Sequence, residues 1–85
     1  MDKSIYTREY ATLLRLLRKS REDAGVTQVA LAEALGKSQS FVNNVEQGDR
    51  RLDVIQLRTI ITVFGLSLPD FCRRLMRAID NESRG

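Results

Sequence analysis

Apolar residues recur at steps of three and four positions along almost the whole chain, which is the spacing of one face of an α-helix. No segment alternates apolar and polar residues in the way that a half-buried strand does. The pattern therefore predicts an all-α protein with five helices, over about residues 7–24, 28–35, 39–47, 53–64 and 68–79. The fourth helix is expected to bury Val54, Leu57, Ile60, Ile61 and Phe64.

The predicted helix ends are marked by residues with suitable capping chemistry. Thr27 and Ser38 stand where the second and third helices need an N-terminal cap. Asp53 is followed three residues later by Gln56, which is the spacing of a capping box. Gly36 follows the second helix, where a left-handed residue often ends a helix, so the turn before the third helix is predicted to be short.

The fifth helix has the most regular apolar face of the chain. Its apolar residues fall at offsets of 0, 3, 4, 7, 8 and 11 positions: Leu68, Phe71, Cys72, Leu75, Met76 and Ile79. This face is wider than a four-helix core needs, so it closes the core of one molecule, forms a two-fold interface, or does both. We expect Leu68 and Phe71 to pack inward and Cys72 to be buried as a small apolar residue. The last five residues, NESRG, are expected to fray.

The composition indicates a globular protein, because 42% of the 85 residues are apolar and 29% are charged. This length suits one compact domain, which we expect to span residues 1–85. No apolar run approaches the roughly 20 residues of a membrane span, and the N-terminus MDKSIYTREY lacks the apolar core of a signal peptide. A cytoplasmic location without a membrane partner is therefore expected.

The chain has no histidine and a single cysteine. A disulfide within the chain and a Cys/His zinc site are therefore excluded, and the imidazole that most often serves as general base is absent. The sequence also offers no Gly-rich phosphate loop and no nucleophile–base pair. We expect a protein that is not an enzyme and that has no metal site, no cofactor and no small-molecule ligand.

The net charge of +3 is unevenly distributed along the chain. Residues 1–26 carry six basic and four acidic groups, residues 27–53 three and four, and residues 54–85 five and three. These counts give net charges of +2, −1 and +2. A solvent-exposed surface that binds no nucleic acid could carry the same charges. If nucleic acid is the partner, the flanking segments supply most of the attraction to its phosphates.

Residues 27–47 form the most informative part of the sequence. Two short predicted helices are joined there by a tight turn over residues 36–38, and the small Ala32 lies where the helices must cross. The second of these helices is uncharged over its first seven residues, and its outward positions are Gln39, Ser40, Asn43 and Asn44. Amides and hydroxyls of this kind can donate to and accept from base edges in a DNA major groove.

This segment resembles the Cro/C1-type (lambda repressor-like, XRE) helix-turn-helix family of DNA-binding regulators. The resemblance covers about residues 10–72 and rests jointly on the segments LRKSREDAGVTQ, LAEALGKSQSFVNNVEQGDRRLD and LRTIITVFGL. It implies a five-helix fold and a homodimer that binds paired half-sites on double-stranded DNA. The fifth helix would then lie partly at the dimer interface, through Leu75, Met76 and Ile79.

The resemblance also implies roles for individual residues. The early outward residues of the third helix would contact bases: Gln39, Ser40, Asn43 and Asn44. A second group would contact the DNA backbone: Gln28, Ser38, Gln47, Arg50 and Arg51. Gln28 would in addition support the recognition helix. Arg21, late in the first helix, would form a structural ion pair with Glu46.

Two positions depart from the family pattern. Phe41 is bulky where smaller residues are common. Its ring could contact a thymine methyl or a sugar, or it could fold back onto Lys37 or the second helix. The second helix also lacks a glutamate at its third position, so its capping box is incomplete.

Three functions fit these expectations. The first is a stand-alone transcription regulator of the repressor or restriction–modification controller type, which binds operator half-sites as a homodimer. The second is an antitoxin-like module that binds a partner protein and autoregulates its operon. The third is an adaptor whose recognition helix meets only protein. A steep salt dependence of DNA affinity would distinguish the first two functions from the third.

Overall fold

The structure, a computed structural model, describes residues 7–84. Five helices follow one another in the order α1 (Arg8–Asp23), α2 (Gln28–Leu35), α3 (Gln39–Gln47), α4 (Val54–Val63) and α5 (Leu68–Arg84). No strand occurs within the described range. The prediction of an all-α, five-helix fold is confirmed.

The helices begin where the capping residues indicate. Thr27 Oγ1 accepts a hydrogen bond from the backbone N–H of Ala30 at 3.0 Å, and α2 begins at the residue after Thr27. Asp53 and Gln56 form the predicted capping box at the start of α4. Because each cap satisfies a backbone N–H that the helix itself cannot pair, these residues fix the helix starts locally.

The apolar core draws on every helix. Its buried cluster comprises Leu17, Leu31, Ala32, Val42, Val45, Leu57, Ile60, Ile61 and Phe71. The prediction for α4 is confirmed for Leu57, Ile60 and Ile61, and Phe64 packs partly buried against the same cluster. It is wrong for Val54, which is 57% exposed. Val54 and Ile55 belong to the first turn of α4, and both are exposed, whereas the buried residues of α4 begin one turn later at Leu57.

α5 buries one side of its apolar face and leaves the other side exposed. Phe71 is fully buried and Leu68 packs partly buried against the core, as predicted. Cys72 is exposed, so the prediction of its burial is wrong. The reason is that α5 packs on α1 and α4 along a strip narrower than its apolar face. Cys72 and Met76 are therefore left toward solvent.

The C-terminal turn of α5 is tied to α1. Thr12, which is buried in α1, donates a hydrogen bond from Oγ1 to Glu82 Oε1 at 2.5 Å. The Arg15 guanidinium pairs with the other oxygen of the same carboxylate. The helix continues to Arg84, so the prediction that residues 81–84 fray is wrong, and these contacts are the reason. Gly85 lies outside the described residues.

The Glu82 carboxylate makes this tie dependent on pH. The hydrogen bond from Thr12, together with the hydrogen bond and charge of Arg15, lowers the pKa of Glu82 below its ordinary value. A carboxyl whose pKa is lower in the folded state stabilises the fold above its unfolded pKa. That contribution is lost as the pH falls through the folded pKa.

Glu82→Gln is therefore expected to lower the melting temperature slightly at about pH 7 and to have little effect at an acidic pH below the folded pKa of Glu82, where the wild-type carboxyl is itself protonated. Thermal unfolding followed by circular dichroism at both pH values measures the difference. The matched control is Asp80→Asn, which removes an exposed carboxylate from the same helix. An equal loss for Glu82→Gln at both pH values would contradict the role given to its charge.

Within residues 7–84, no single helix is both long and apolar enough to cross a membrane. α4 and α5 reach the required length and composition only as a pair, and the chain bends by 103° between them. The buried residues of this pair are Leu57, Ile60, Ile61 and Phe71.

Candidate nucleic-acid interface

A short turn sets α3 against α2. Gly36 adopts a φ of +68°, in the left-handed region that favours glycine, and the Lys37 N–H donates to the Ala32 carbonyl at 2.9 Å. Ser38 then caps α3, because its Oγ accepts from the Phe41 N–H at 3.1 Å. Ala32 is small and buried, so α3 can cross α2 closely. This packing leaves one long side of α3 at the surface.

α3 has one apolar side and one polar side. Val42 and Val45 are buried in the core. On the polar side, four predicted base-contacting residues and Gln28 of α2 line one shallow concavity of about 260 Å³: Gln39, Ser40, Asn43 and Asn44. Asn43 is half-buried and the other three residues of α3 are exposed. The structure therefore brings all four residues to one surface.

Gln28 connects α2 to this surface through its side-chain amide. Its Nε2 donates to Glu46 Oε1 at 2.9 Å and approaches Asn43 Oδ1 at 3.5 Å. Its Oε1 accepts from Gln39 Nε2 at 3.4 Å. The shorter bond to Glu46 fixes Gln28, whereas the two longer contacts are weak. The amides of Gln39 and Asn43 therefore lie beside Gln28, and their long contacts to it leave them able to form stronger hydrogen bonds with another partner.

A buried ion pair holds α1 to the end of α3. Arg21 Nε lies 2.6 Å from Glu46 Oε2, and the two side chains are only 9% and 6% exposed. Arg21 Nη2 lies 3.2 Å from Glu46 Oε1, and Nη1 donates to the Val26 carbonyl at 2.9 Å. A buried pair needs this bidentate, fully hydrogen-bonded geometry to offset its desolvation. The Glu46 carboxylate therefore joins α1, α2 and α3 at one point, since it also accepts from Gln28.

Three of the predicted backbone-contacting residues lie along α3 and the start of α2. Gln28 and Gln47 both contact Asn43 Oδ1, at 3.5 and 3.4 Å, so they lie beside the polar side of α3. Ser38 is exposed at the first turn of α3, where its hydroxyl serves as the N-cap. The amide and hydroxyl groups of these residues thus surround the predicted base-contacting surface.

The other two predicted backbone contacts, Arg50 and Arg51, lie in the loop after α3 and are stacked on different rings. The Arg50 guanidinium carbon is 5.0 Å from the centroid of the Phe41 ring, beside α3. The Arg51 guanidinium carbon is 4.6 Å from the centroid of Tyr10, beside α1. Lys37 Nζ lies 5.4 Å from the Phe41 centroid, so the ring does fold back onto Lys37. Lys37 was not among the residues predicted to contact DNA, although a basic residue four positions before the aromatic Phe41 was a signal in the sequence.

The chain matches the helix-turn-helix family over residues 17–71, which is more than half of its length. Over 55 residues it is 44% identical to the HTH-type transcriptional regulator PrpR of Mycobacterium tuberculosis (strain ATCC 25618 / H37Rv). That alignment takes in 65% of this chain but only 11% of the regulator, so the chain corresponds to a small part of that relative.

One solved structure is similar to this protein over most of the length of both chains. The XRE-family like protein from Pseudomonas syringae pv. tomato str. DC3000 has a TM-score of 0.80 and 39% sequence identity, over 88% of this chain and 92% of that chain. The region that matches the family includes the whole of α2, α3 and α4. The chain therefore belongs to the Cro/C1-type (XRE) helix-turn-helix family of DNA-binding transcription regulators.

Proposed function

We propose that this protein is a sequence-specific transcription regulator, of the repressor or controller type, that binds operator half-sites as a homodimer in the cytoplasm. The observation that carries the proposal is the uncharged polar side of α3, where four residues share one concavity with Gln28: Gln39, Ser40, Asn43 and Asn44. A major groove is about 12 Å wide and admits a helix of this kind. Amide side chains on its outer face can then read adenine, and hydroxyls are more permissive.

The distribution of charge separates the residues proposed to contact bases from those proposed to contact the DNA backbone. The polar side of α3 carries no formal charge over its first seven residues, so its contacts to bases depend on hydrogen-bond geometry. Attraction to phosphates comes from the edges of this surface, through Arg50 and Arg51, with the uncharged Gln28, Ser38 and Gln47 positioned to donate to the backbone. Contacts to the DNA backbone orient the protein on the duplex without reading its sequence.

The homodimer is proposed on the exposed part of α5. Met76 is 53% exposed, and Leu75 and Ile79 are half-buried beside it. An apolar strip of this kind on a charged helix is costly to leave in water. A two-fold partner would cover it and would present two copies of α3 to half-sites about 34–36 Å apart along the duplex.

Met76→Glu is expected to shift the protein toward monomer, because a second copy would bring two carboxylates into the apolar interface. Sedimentation velocity over a range of protein concentrations measures the change, and far-UV circular dichroism checks that helicity is retained. Asn81→Glu is the matched control, since it adds the same charge at an exposed polar position of α5. A Met76→Glu variant that sediments like the unaltered protein would place the dimer interface elsewhere.

The DNA-binding function is tested by fluorescence anisotropy on a mixed-sequence duplex, with salt raised from about 50 to 200 mM. A regulator that neutralises phosphates releases counterions, so the logarithm of its affinity should fall linearly with the logarithm of salt concentration. Such a slope supports the proposal. Absence of measurable binding at the lowest salt would contradict it and would favour an adaptor that meets only protein.

A further inference from the structure

The Phe41 ring brings together two cations from opposite ends of the recognition helix. Lys37 precedes α3 and its Nζ lies 5.4 Å from the ring centroid. Arg50 follows α3 and its guanidinium carbon lies 5.0 Å from the same centroid. Both distances are within the range of a cation–π interaction, which extends to about 6 Å. One aromatic residue therefore sets the place of both charges beside α3.

The ring itself is anchored by apolar packing. Phe41 is half-buried and packs against the core cluster. It lines an apolar cleft of about 140 Å³ whose other walls include Leu35, Ile55 and Ile60. Its backbone N–H is held by the Ser38 cap at 3.1 Å. The ring is thus a fixed platform, whereas Lys37 and Arg50 are exposed side chains that would otherwise sample many rotamers.

Within residues 7–84, neither positive charge is paired with a carboxylate. Among the residues that the structure describes, no carboxylate oxygen lies within 4.0 Å of the charged nitrogens of Lys37 or Arg50. Lys37 Nζ and the Arg50 guanidinium carbon lie 5.4 and 5.0 Å from the same centroid, so they are at most about 10 Å apart. This separation is about the Debye length at 0.1 M salt, so the two charges still repel each other. Their mutual repulsion is relieved when an anion binds beside them. Paired cations without a counter-charge are therefore suited to a phosphate ligand.

The position of this cluster on α3 fits the wall of a groove. Gln28 contacts α3 through Gln39 and Asn43, so α2 approaches the polar side of α3 along one edge. Phe41 precedes Asn44 by three residues and therefore lies along the other edge, next to the buried side. A helix in the major groove has one phosphate strand on each flank. Gln28 and the Phe41 cluster would then face opposite strands.

We propose that Lys37 and Arg50, held in place by Phe41, form a phosphate-binding site for the DNA backbone on the Asn44 edge of α3. Phe41 is a positioning residue, because it acts through the two cations and need not touch DNA. The proposal rests on the proposed function, in which α3 enters the major groove. It adds Lys37 to the interface and gives a role to the bulky residue that departs from the family pattern.

The test is a thermodynamic cycle on the affinity for a mixed-sequence duplex, measured as a function of salt. Lys37→Gln and Arg50→Gln are each expected to weaken binding and to reduce the salt slope by about 0.9. Phe41→Leu keeps both charges but removes the ring, and it is expected to weaken binding by roughly two- to fivefold for each cation released. Phe41→Tyr keeps the ring and should bind within about twofold of the unaltered protein.

The decisive comparison repeats Phe41→Leu in the Lys37→Gln/Arg50→Gln background, where the expected loss is close to zero because the ring has no cation left to hold. Lys19→Gln is the charge-matched control, since Lys19 is exposed on α1 and pairs with Asp23. Thermal unfolding checks that each variant is folded. The same loss from Phe41→Leu in both backgrounds, or salt slopes for Lys37→Gln and Arg50→Gln no different from Lys19→Gln, would overturn this site alone. Failure of the unaltered protein to bind any DNA would overturn the proposed function together with it.

Discussion

Replacing Arg21 with alanine is expected to lower the free energy of unfolding by about 3–5 kcal/mol. The change would leave the Glu46 carboxylate buried at 6% exposure without its bidentate partner, and it would also remove the donor to the Val26 carbonyl. Gln28 would be the one remaining donor to Glu46 among the hydrogen bonds of the described residues. For a domain of this size, a loss of this order lowers the melting temperature by roughly 12 °C or more.

The matched control for Arg21→Ala is Arg18→Ala, on the same helix. Arg18 pairs with Glu22 at 3.2 Å, but its side chain is 65% exposed, so this pair is worth at most about 1 kcal/mol. Urea unfolding of both variants measures the difference. A third variant, Arg21→Met with Glu46→Met, removes both charges and should recover much of the loss. Equal losses for Arg21→Ala and Arg18→Ala would show that burial does not set the strength of the Arg21–Glu46 pair.

Replacing Asn43 with alanine is expected to weaken binding to the preferred operator by about 1–3 kcal/mol, which is roughly 5- to 150-fold. The side chain lies on the polar side of α3, where Gln28 and Gln47 hold its Oδ1 by long contacts. Loss of an amide that reads a base edge should also relax the preference at one position of each half-site. Binding to unrelated sequences should change little.

The matched comparison for Asn43→Ala is Arg51→Ala. Removal of a backbone-contacting cation should weaken binding to all sequences by a similar factor and reduce the salt slope by about 1. Competition titrations on the preferred operator and on single-base variants, at two salt concentrations, separate the two behaviours. If Asn43→Ala and Arg51→Ala change affinity and specificity alike, the division into reading and positioning residues is wrong.

Much of the fold follows from local signals in the sequence. The capping residues Thr27, Ser38 and Asp53 fix helix starts through hydrogen bonds within three residues, so their positions are predictable without knowledge of the packing. The apolar residues at the centre of α4 and α5 were predicted for the same reason, since helical spacing identifies the face. Helical spacing does not show how much of an apolar face the neighbouring helices cover. Val54 and Cys72 lie on the predicted faces but outside the contacts, and both are exposed.

Contacts between residues distant in the chain were the hardest to predict. Thr12 and Glu82 are 70 residues apart, and nothing local indicates that their hydrogen bond continues α5 through residues expected to fray. The direction of the Phe41 ring was also open, because a half-buried aromatic at that position can reach several partners. The distances from Lys37 and Arg50 to the ring decide between them.

The polar surface of α3 was predictable from helical spacing to the level of individual residues, whereas its supporting residues were expected only from the family resemblance. Helical spacing placed Gln39, Ser40 and Asn43 on the outward side, and they do line one concavity. Gln28 was assigned by resemblance, but its hydrogen bond to Glu46 depends on how α2 packs against α3. The supporting network is a tertiary feature, so only the structure gives its geometry.

Selection from a random duplex pool at near-physiological salt tests whether this protein reads DNA sequence as a dimer through α3, as we propose. Enrichment of an inverted repeat is expected, with half-sites centred about 10 base pairs, or one helical turn, apart. The same selection with an Asn43→Ala variant is expected to relax one position in each half-site. Failure to enrich any sequence, at any salt concentration, would contradict the claim.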